Sequence, residues 1–416
     1  MKFIKTPAKG MRDIMPEEME LREYIINELC ETYSLYGFKR IETPCVEHIE
    51  NISSNQGGEN EKLIFKILKR GEKLNLDTAQ SVEDLVDFGL RYDLTVPLTR
   101  YYANNMNELD KPFKSIQIGN VWRAERPQKG RFRQFVQCDI DILGEKTNLA
   151  EIELISATTT LLDKINLNNY KIIINDRRIL KAMVMYSGFN EEDCDSVLIS
   201  LDKIDKIGIQ GVKDELISNG YSEEKIDKYL NLYSQENLND ITKFCNQIDK
   251  DFLDDKVVEN LKNIIDTLIN TKNINIEFDP SLVRGMSYYT GPIFEIKVSG
   301  YNGSVGGGGR YDEMVSKYAN VSVPACGFSI GFERLINILM ELNYEIPNTK
   351  EKYAYIFDNE EFINNKKKYL LEINKLRENN KIVNVQLKSK NFRYQKENLE
   401  KQGYIIYLNG KELKNE

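Results

Sequence analysis

The feature that most constrains the fold is a stretch that changes character twice within 28 residues, Ser115 to Ile142. Residues 115–122 (SIQIGNVW) form an apolar run, and residues 134–142 (QFVQCDIDI) alternate. Between Arg123 and Arg133 stand five cations, Arg123, Arg126, Lys129, Arg131 and Arg133, around one acid, Glu125. Pro127 and Gly130 mark a loop between the two runs. The expected arrangement is two antiparallel strands joined by a long cationic tip. Cations gathered at a sheet edge suit a polyphosphate or a nucleic-acid backbone, although a charge cluster alone is more often a solvated face. Gln137 and Asp141 tip the balance. They lie four apart on the second strand and so share one face, where they can read a polar ligand beside a phosphate site.

Composition narrows the class. A chain of 416 residues exceeds one ordinary core, so two or three domains are expected. Apolar residues make up 41% and charged residues 29%, as in soluble globular proteins. No apolar run is long enough to span a membrane, and MKFIKTPAKG at the N-terminus lacks an apolar signal region. The six cysteines contain no CxxC pair, which argues against a disulfide framework or a thiolate zinc site and for a reducing cytoplasm. The single histidine, His48, rules out histidine-rich metal sites and histidine-dependent nucleophile systems elsewhere. His48 reads as a strand-end packing residue, and no protein-ligated metal is expected. Net charge is −8. Residues 351–416 carry 14 Lys and Arg against 10 Asp and Glu, so this end is +4 and the remainder −12. A basic tail and a basic loop on an acidic body are compatible with an RNA partner.

Along the chain, helical spacing of Met19, Leu21, Tyr24, Ile25, Leu29 and Tyr33 predicts a helix over 17–35. A strand is expected at Phe38–Thr43, a hairpin over 62–80, a strand-to-helix passage over Leu90–Arg100 (LRYDLTVPLTR) and a helix over Leu149–Lys164. From 176 to about 272 glycine is sparse and helical periodicity dominates, which marks a helical insertion between core segments 1–175 and 273–343. Sheet signals return at Leu282–Val298, Gly306–Asp312 and Cys326–Ile330. A linker is expected over 344–352, followed by a small α/β layer over 353–416 whose strands and helices alternate.

Three further segments bear on chemistry. Gly306–Gly309 lets backbone approach a flat ligand closely, or is simply a glycine-rich turn. Arg334 lies in the first turn of a helix opening at Gly331-Phe332-Glu333, where free N–H groups already favour anions; the bland reading pairs it with Glu333. Arg284 stands within the apolar segment 282–298, and a buried arginine needs an anion. Tyr288 and Tyr289 follow on the same expected strand, at least one of them as an ordinary core aromatic.

These residues carry a resemblance. The chain resembles the histidyl-tRNA synthetases, a family of class II aminoacyl-tRNA synthetases. Phe38–Pro44 is similar to the dimer-interface motif of the class, RAERPQKGRFRQFVQCDID to its second motif and GFSIGFERL to its third. LVRGMSYYTG and LRYDLT are similar to signatures of the histidine enzymes, and KGMRDIMPEEM fits beside them. The resemblance implies an α+β fold: a class II synthetase-like antiparallel sheet flanked by helices, a helical insertion and a small C-terminal α/β domain akin to an anticodon-binding domain. It implies a histidine–tRNA ligase that uses ATP, with Mg2+ accompanying it, to make histidyl-adenylate and charge tRNA(His), as a cytoplasmic homodimer. In that reading Arg123 holds the α-phosphate, Glu125 meets the adenine side and Arg334 holds the γ-phosphate. Gly308 and Gly309 lie along the nucleotide. Arg284 is the cationic catalyst. Asp93 and Thr95 bind the amino group, while Gln137, Asp141, Tyr288 and Tyr289 recognise the amino acid and its imidazole. Arg126, Gln128 and Lys129 approach the acceptor end of the tRNA. Two departures stand out. Position 287 is Ser where the family often has Asp, and the tail stops soon after Tyr404–Leu408, a shortened version in which the acceptor end is expected to carry most of the tRNA identity. The competing readings are a non-catalytic paralogue that serves an ATP phosphoribosyltransferase as a histidine-sensing regulatory subunit, and a different class II synthetase. Retention of Arg123, Arg284 and Arg334 favours the ligase over the first; LVRGMSYYTG with Gln137 and Asp141 disfavours the second.

Overall fold

The computed structural model describes residues 3–53, 60–127, 131–233, 238–283, 288–319 and 321–413. It divides into two units, Met1–Asn343 and Tyr344–Glu416. The first begins with α1 (Pro16–Leu35), β1 (Lys39–Arg40), β2 (Val46–His48), α2 (Ile49–Ser53), β3 (Lys66–Leu68), β4 (Val86–Leu90) and α3 (Thr95–Asn105). There follow β5 (Phe113–Trp122), β6 (Gln134–Leu143), α4 (Leu149–Lys164) and β7 (Tyr170–Asp176). A helical stretch comprises α5 (Arg177–Tyr186), α6 (Cys194–Leu201), α7 (Ile204–Ser218), α8 (Glu223–Asn231), α9 (Ile241–Cys245) and α10 (Asp255–Lys272). The unit closes with β8 (Ile276–Phe278), β9 (Pro292–Val298), β10 (Ser304–Arg310), β11 (Ala325–Ile330) and α11 (Phe332–Glu341).

Eight strands make one sheet in the order β1-β5-β6-β11-β10-β9-β7-β8. Pairing is parallel only at the two ends, β1 with β5 and β7 with β8, and antiparallel through the middle. Helices supply the cover. α1 buries Leu21, Ile25, Leu29 and Tyr33, each four apart, and packs on α4, which buries Leu154, Ile155, Ala157, Leu161 and Leu162. Each fully buried aliphatic side chain of this kind contributes about 1.5–3 kcal/mol over its exposed state. At the other side of the sheet, β2, β3 and β4 form a separate antiparallel ribbon in the order β2-β4-β3. His48 ends β2 with its ring 5.2 Å from that of Phe88, which is a packing role.

Three local expectations change. The hairpin expected over 62–80 does not form: β3 pairs instead with β4, and the polar stretch between them folds into short 3₁₀ turns because nothing in it alternates. The strand expected over 38–43 shrinks to Lys39–Arg40. β9 starts only at Pro292, a residue that tolerates the first position of a strand but not its interior, so Tyr288 and Tyr289 precede the strand rather than lie on it. The four glycines Gly306–Gly309 form part of β10, in keeping with the sheet signal over 306–312 and not with the turn alternative.

In the second unit β12 (Lys352–Phe357), α12 (Asn359–Glu378), β13 (Ile382–Leu387), α13 (Phe392–Lys401), β14 (Tyr404–Leu408) and β15 (Lys411–Glu412) build a sheet of order β13-β12-β14-β15. β12 runs parallel to both neighbours. Its alternation splits the core: Ala354 and Ile356 pack with Leu399 and Ile406 on one face, Tyr355 and Phe357 with Tyr369 and Ile373 on the other.

Candidate active site

A cavity of about 480 Å³ opens over the middle of the large sheet, walled by β6, β10 and β11, the start of α3 and the N-terminus of α11. Its two ends differ in charge because different elements deliver different residues. β6 sends Gln137, Asp139 and Asp141 to one face by its period of two, and all three line the cavity. On the neighbouring strand Gly327 stands opposite Asp141 and Ser329 opposite Asp139. Gly327 has a packing reason: a Cβ there would overlap the Asp141 carboxylate. Gly308 likewise lets β10 and β11 close up, since a Cβ would run into the Gly327 carbonyl.

The acidic end is buried. Asp93, Asp139 and Asp141 are each 4% exposed or less. Tyr311 donates its hydroxyl to Asp141 Oδ1 at 2.5 Å, and Asp93 Oδ1 accepts the Val96 N–H at 3.1 Å near the start of α3. Gln137 Nε2 donates to Ser329 Oγ at 3.2 Å. Among the described residues Asp93 Oδ2, Asp139 Oδ1, Asp141 Oδ2 and Gln137 Oε1 have no hydrogen-bond partner. Four acceptors left so in one buried pocket amount to a demand for donors, because each costs desolvation until it is met. Burial raises the Asp141 carboxyl to about 7, with Asp93 adding to the rise and Tyr311 opposing it. It raises Asp93 to about 6, opposed by the Val96 N–H and by Arg123. Asp139 is driven well up by burial and by Asp141.

The opposite end is cationic and more open. Arg123 donates Nε–H to the Tyr92 carbonyl at 2.9 Å and lies 5.2 Å from the Phe135 ring centroid. Arg334 donates to the Ser304 carbonyl at 2.5 Å. Glu333 does not pair with it. Its carboxylate takes Arg22 in a two-pronged bond at 2.7 and 2.8 Å, Arg12 at 3.1 Å and the Val136 N–H at 3.3 Å. Burial pushes the Glu333 carboxyl up, but Arg22, the Val136 N–H and Arg12 outweigh it and hold it below the usual range. The cavity thus offers buried acceptors at one end and arginines at the other, the polarity needed by a small cation joined to a polyphosphate.

Comparison with known proteins identifies the family. The family model for histidyl-tRNA synthetase matches residues 10–335. The chain belongs to the histidyl-tRNA synthetase family. It is 44% identical over 353 residues to a histidine–tRNA ligase of Leifsonia xyli subsp. xyli, covering 80% of each chain. It is 38% identical over 348 residues to one of Bacteroides fragilis, covering 80% of this chain and 76% of that protein. A histidyl-tRNA synthetase of Nostoc sp. PCC 7120 superposes with TM-score 0.77 at 26% identity over 98% of this chain and 92% of its own. A Bacillus halodurans protein described as an ATP phosphoribosyltransferase regulatory subunit/histidyl-tRNA synthetase superposes with TM-score 0.78 at 23% identity, covering 98% of this chain and 99% of its own, which speaks to the fold alone.

Within this synthetase fold the residues singled out from sequence fall in three groups. Asp93, Thr95, Arg123, Glu125, Gln137, Asp141, Tyr288, Tyr289, Gly308 and Arg334 all line the cavity. Gly309 faces away from it, toward Pro292, Ile293 and Tyr289, and Arg126 is exposed outside it. Arg284, Ser287, Gln128 and Lys129 lie outside the described residues. Sequence reasoning passed over Asp139 and Tyr311. Asp139 sits midway between Gln137 and Asp141, so the same period of two that paired those residues puts it on their face. Tyr311 follows the glycine strand in GGGGRYD, where Arg310 forms a buried ion pair with Glu151 of α4 at 2.7 Å and Asp312 accepts the Ala325 N–H at 2.9 Å. Arg91 of LRYDLT is structural too: it donates to the Thr43 and Asn120 carbonyls at 2.6 and 2.9 Å and ties that signature to the segment before β2.

Proposed function

We propose that this chain is a histidine–tRNA ligase, which joins histidine to ATP as histidyl-adenylate and passes the histidyl group to tRNA(His). The observation that carries the proposal is the cavity of opposed charge in a chain of this family. Histidine brings an ammonium and an imidazole N–H, the donors that Asp93, Asp139, Asp141 and Gln137 lack. Asp93 and Thr95 take the ammonium; Asp141, oriented by Tyr311, takes the imidazole, with Gln137, Tyr288 and Tyr289 around it. Arg123 holds the α-phosphate of ATP and Arg334 the γ-phosphate, with Glu125 on the adenine side and Gly308 under the nucleotide. Arg284 adds the charge that neutralises the α-phosphate in the transition state.

The reaction needs no protein nucleophile. The histidine carboxylate attacks the α-phosphorus, the bond to the β-phosphate oxygen breaks and pyrophosphate leaves. The protein's part is in-line placement and charge neutralisation. Mg2+ would accompany ATP. Glu333 is engaged by Arg22 and Arg12 and the aspartates lie at the buried end, so the residues suit an ion held by the phosphates themselves, whose charge it would help to neutralise. Arg126, Gln128 and Lys129 then meet the acceptor end, whose terminal ribose hydroxyl displaces AMP. We place the protein in the cytoplasm as a homodimer, with Pro44 near the subunit contact; a monomeric mass in light scattering at micromolar concentration would refute the dimer. The regulatory-subunit reading finds less support, since Arg123 and Arg334 would have no phosphate to hold. Charging of tRNA(His) transcript with radiolabelled histidine tests the proposal, and a chain that binds histidine but forms no histidyl-tRNA refutes it.

A further inference from the structure

Glu333 gathers three separate parts of the chain onto one carboxylate, and two of its partners come from the N-terminal segment. Arg22 on α1 and Glu333 are 5% and 9% exposed at their side chains, so this pair is buried and geometrically defined. Arg12, before α1, is 29% exposed and reaches the same carboxylate at 3.1 Å. Its guanidinium is also gripped by Glu18 in a two-pronged bond at 2.5 and 2.6 Å. Its Cζ lies over the Phe132 ring, 4.7 Å from the centroid. Phe132 lines the cavity and lies near the end of the cationic loop; Arg22 in turn lies 4.8 Å from the ring centroid of Phe332, which lines it too. The same loop is held to the N-terminal segment by backbone, Arg133 N–H donating to the Gly10 carbonyl at 2.8 Å, and a Cβ at Gly10 would strike Pro127 and Arg133.

We propose that Arg12 is a positioning residue for the nucleotide, a clasp that fixes Phe132 from one side and Glu333, hence the first turn of α11 with Arg334, from the other. The inference rests on the ATP assignment made above. A fork-shaped cation is needed because Arg12 lies over a ring while its two terminal nitrogens bond two carboxylates; a lysine can keep the charge but not all of these interactions. The clasp touches neither Asp141 nor Asp93. Its loss therefore loosens the nucleotide end and leaves the amino-acid end as it was. A residue that only fastened the N-terminal segment would lower the melting temperature without separating the two substrates.

The test is ATP–pyrophosphate exchange with the full chain, comparing wild type, Arg12→Ala and Arg12→Lys, with histidine affinity measured by calorimetry without ATP. Displacing a positioning group can cost about ten- to a hundredfold, so the KM for ATP should rise at least roughly tenfold in Arg12→Ala. Arg12→Lys should recover only part of it, and the Kd for histidine should stay within about twofold in both. Phe132→Leu combined with Arg12→Ala should be less than additive, because the two act through one interaction. An unchanged KM for ATP in folded Arg12→Ala, or an equal loss of histidine affinity, overturns the clasp. Should wild type itself give no exchange with histidine, the ATP assignment fails first, and the two failures are told apart.

Discussion

The two ends of the cavity are built on opposite principles. The acidic end hangs on strand β6 and the start of α3, with Asp93, Asp139 and Asp141 almost sealed from water. The cationic end hangs on the loop after β5 and the first turn of α11, and Arg123, Glu125 and Arg334 there are only half-buried. A buried end selects, because an analogue lacking the right donor leaves an acceptor desolvated and unpaired. A half-open end can attract and position charge while tolerating water. The difference also explains why the pKa shifts collect at one end: burial raises all three aspartates, whereas Glu333 at the other end is held down by two arginines and a backbone N–H.

The strongest way to break this comparison is Asp141→Ala. Removing one partner of a buried charged hydrogen bond costs about 2–5 kcal/mol, so histidine binding in calorimetry should nearly vanish while nucleotide binding persists. Equal losses of both substrates would mean that the two ends are not separate. Next in size, Arg334→Ala should weaken ATP by about 1.5–3 kcal/mol, the worth of a hydrogen bond to a charged group, and leave the Kd for histidine unchanged.

Position explains what was legible in sequence. Strands β5 and β6 were readable because their apolar and alternating runs flank an unmistakable loop, and Gln137 with Asp141 followed from a period of two. Asp139 obeys the same period, yet a second acid beside Asp141 on one buried face was not read from it. Pairings across long separations left no local trace: Arg22 and Glu333 are 311 residues apart, and nothing near either one announces the other. β3 was paired with the wrong partner for a similar reason, since three residues carry too little pattern to specify register. Tyr288 and Tyr289 read as strand because aromatic residues favour sheets, but Pro292 sets where the strand starts.

A third measurement uses pH. Asp141 at about 7 is raised above its unfolded value by burial. The folded chain therefore holds this proton more tightly than the unfolded chain. The ionised carboxylate costs stability that appears as pH rises above about 4 and is complete above about 7. Asp141→Asn cannot ionise, so it should melt higher than wild type at pH 8, with the gap closing toward pH 4, while losing histidine. In wild type, histidine affinity should strengthen from pH 5.5 to 7.5, roughly the span over which Asp93 and Asp141 ionise. A flat thermal comparison across that range would show that the acidic end is not desolvated in solution.

The smallest effect on the first chemical step belongs to the second unit. All residues assigned to ATP and histidine precede residue 344, so removing 344–416 should leave ATP–pyrophosphate exchange near wild type. Charging of tRNA should fall, and the slope of log affinity against log salt should flatten by about 0.7–0.9 for each tRNA phosphate that the shortened chain no longer neutralises.

One measurement reaches the centre of the account: ATP–pyrophosphate exchange by the wild-type chain across the twenty amino acids. If, as proposed, the cavity's carboxylates take an imidazole donor and its arginines a polyphosphate, exchange is expected with histidine and background with the rest. Exchange with no amino acid, or equal exchange with several, would contradict it.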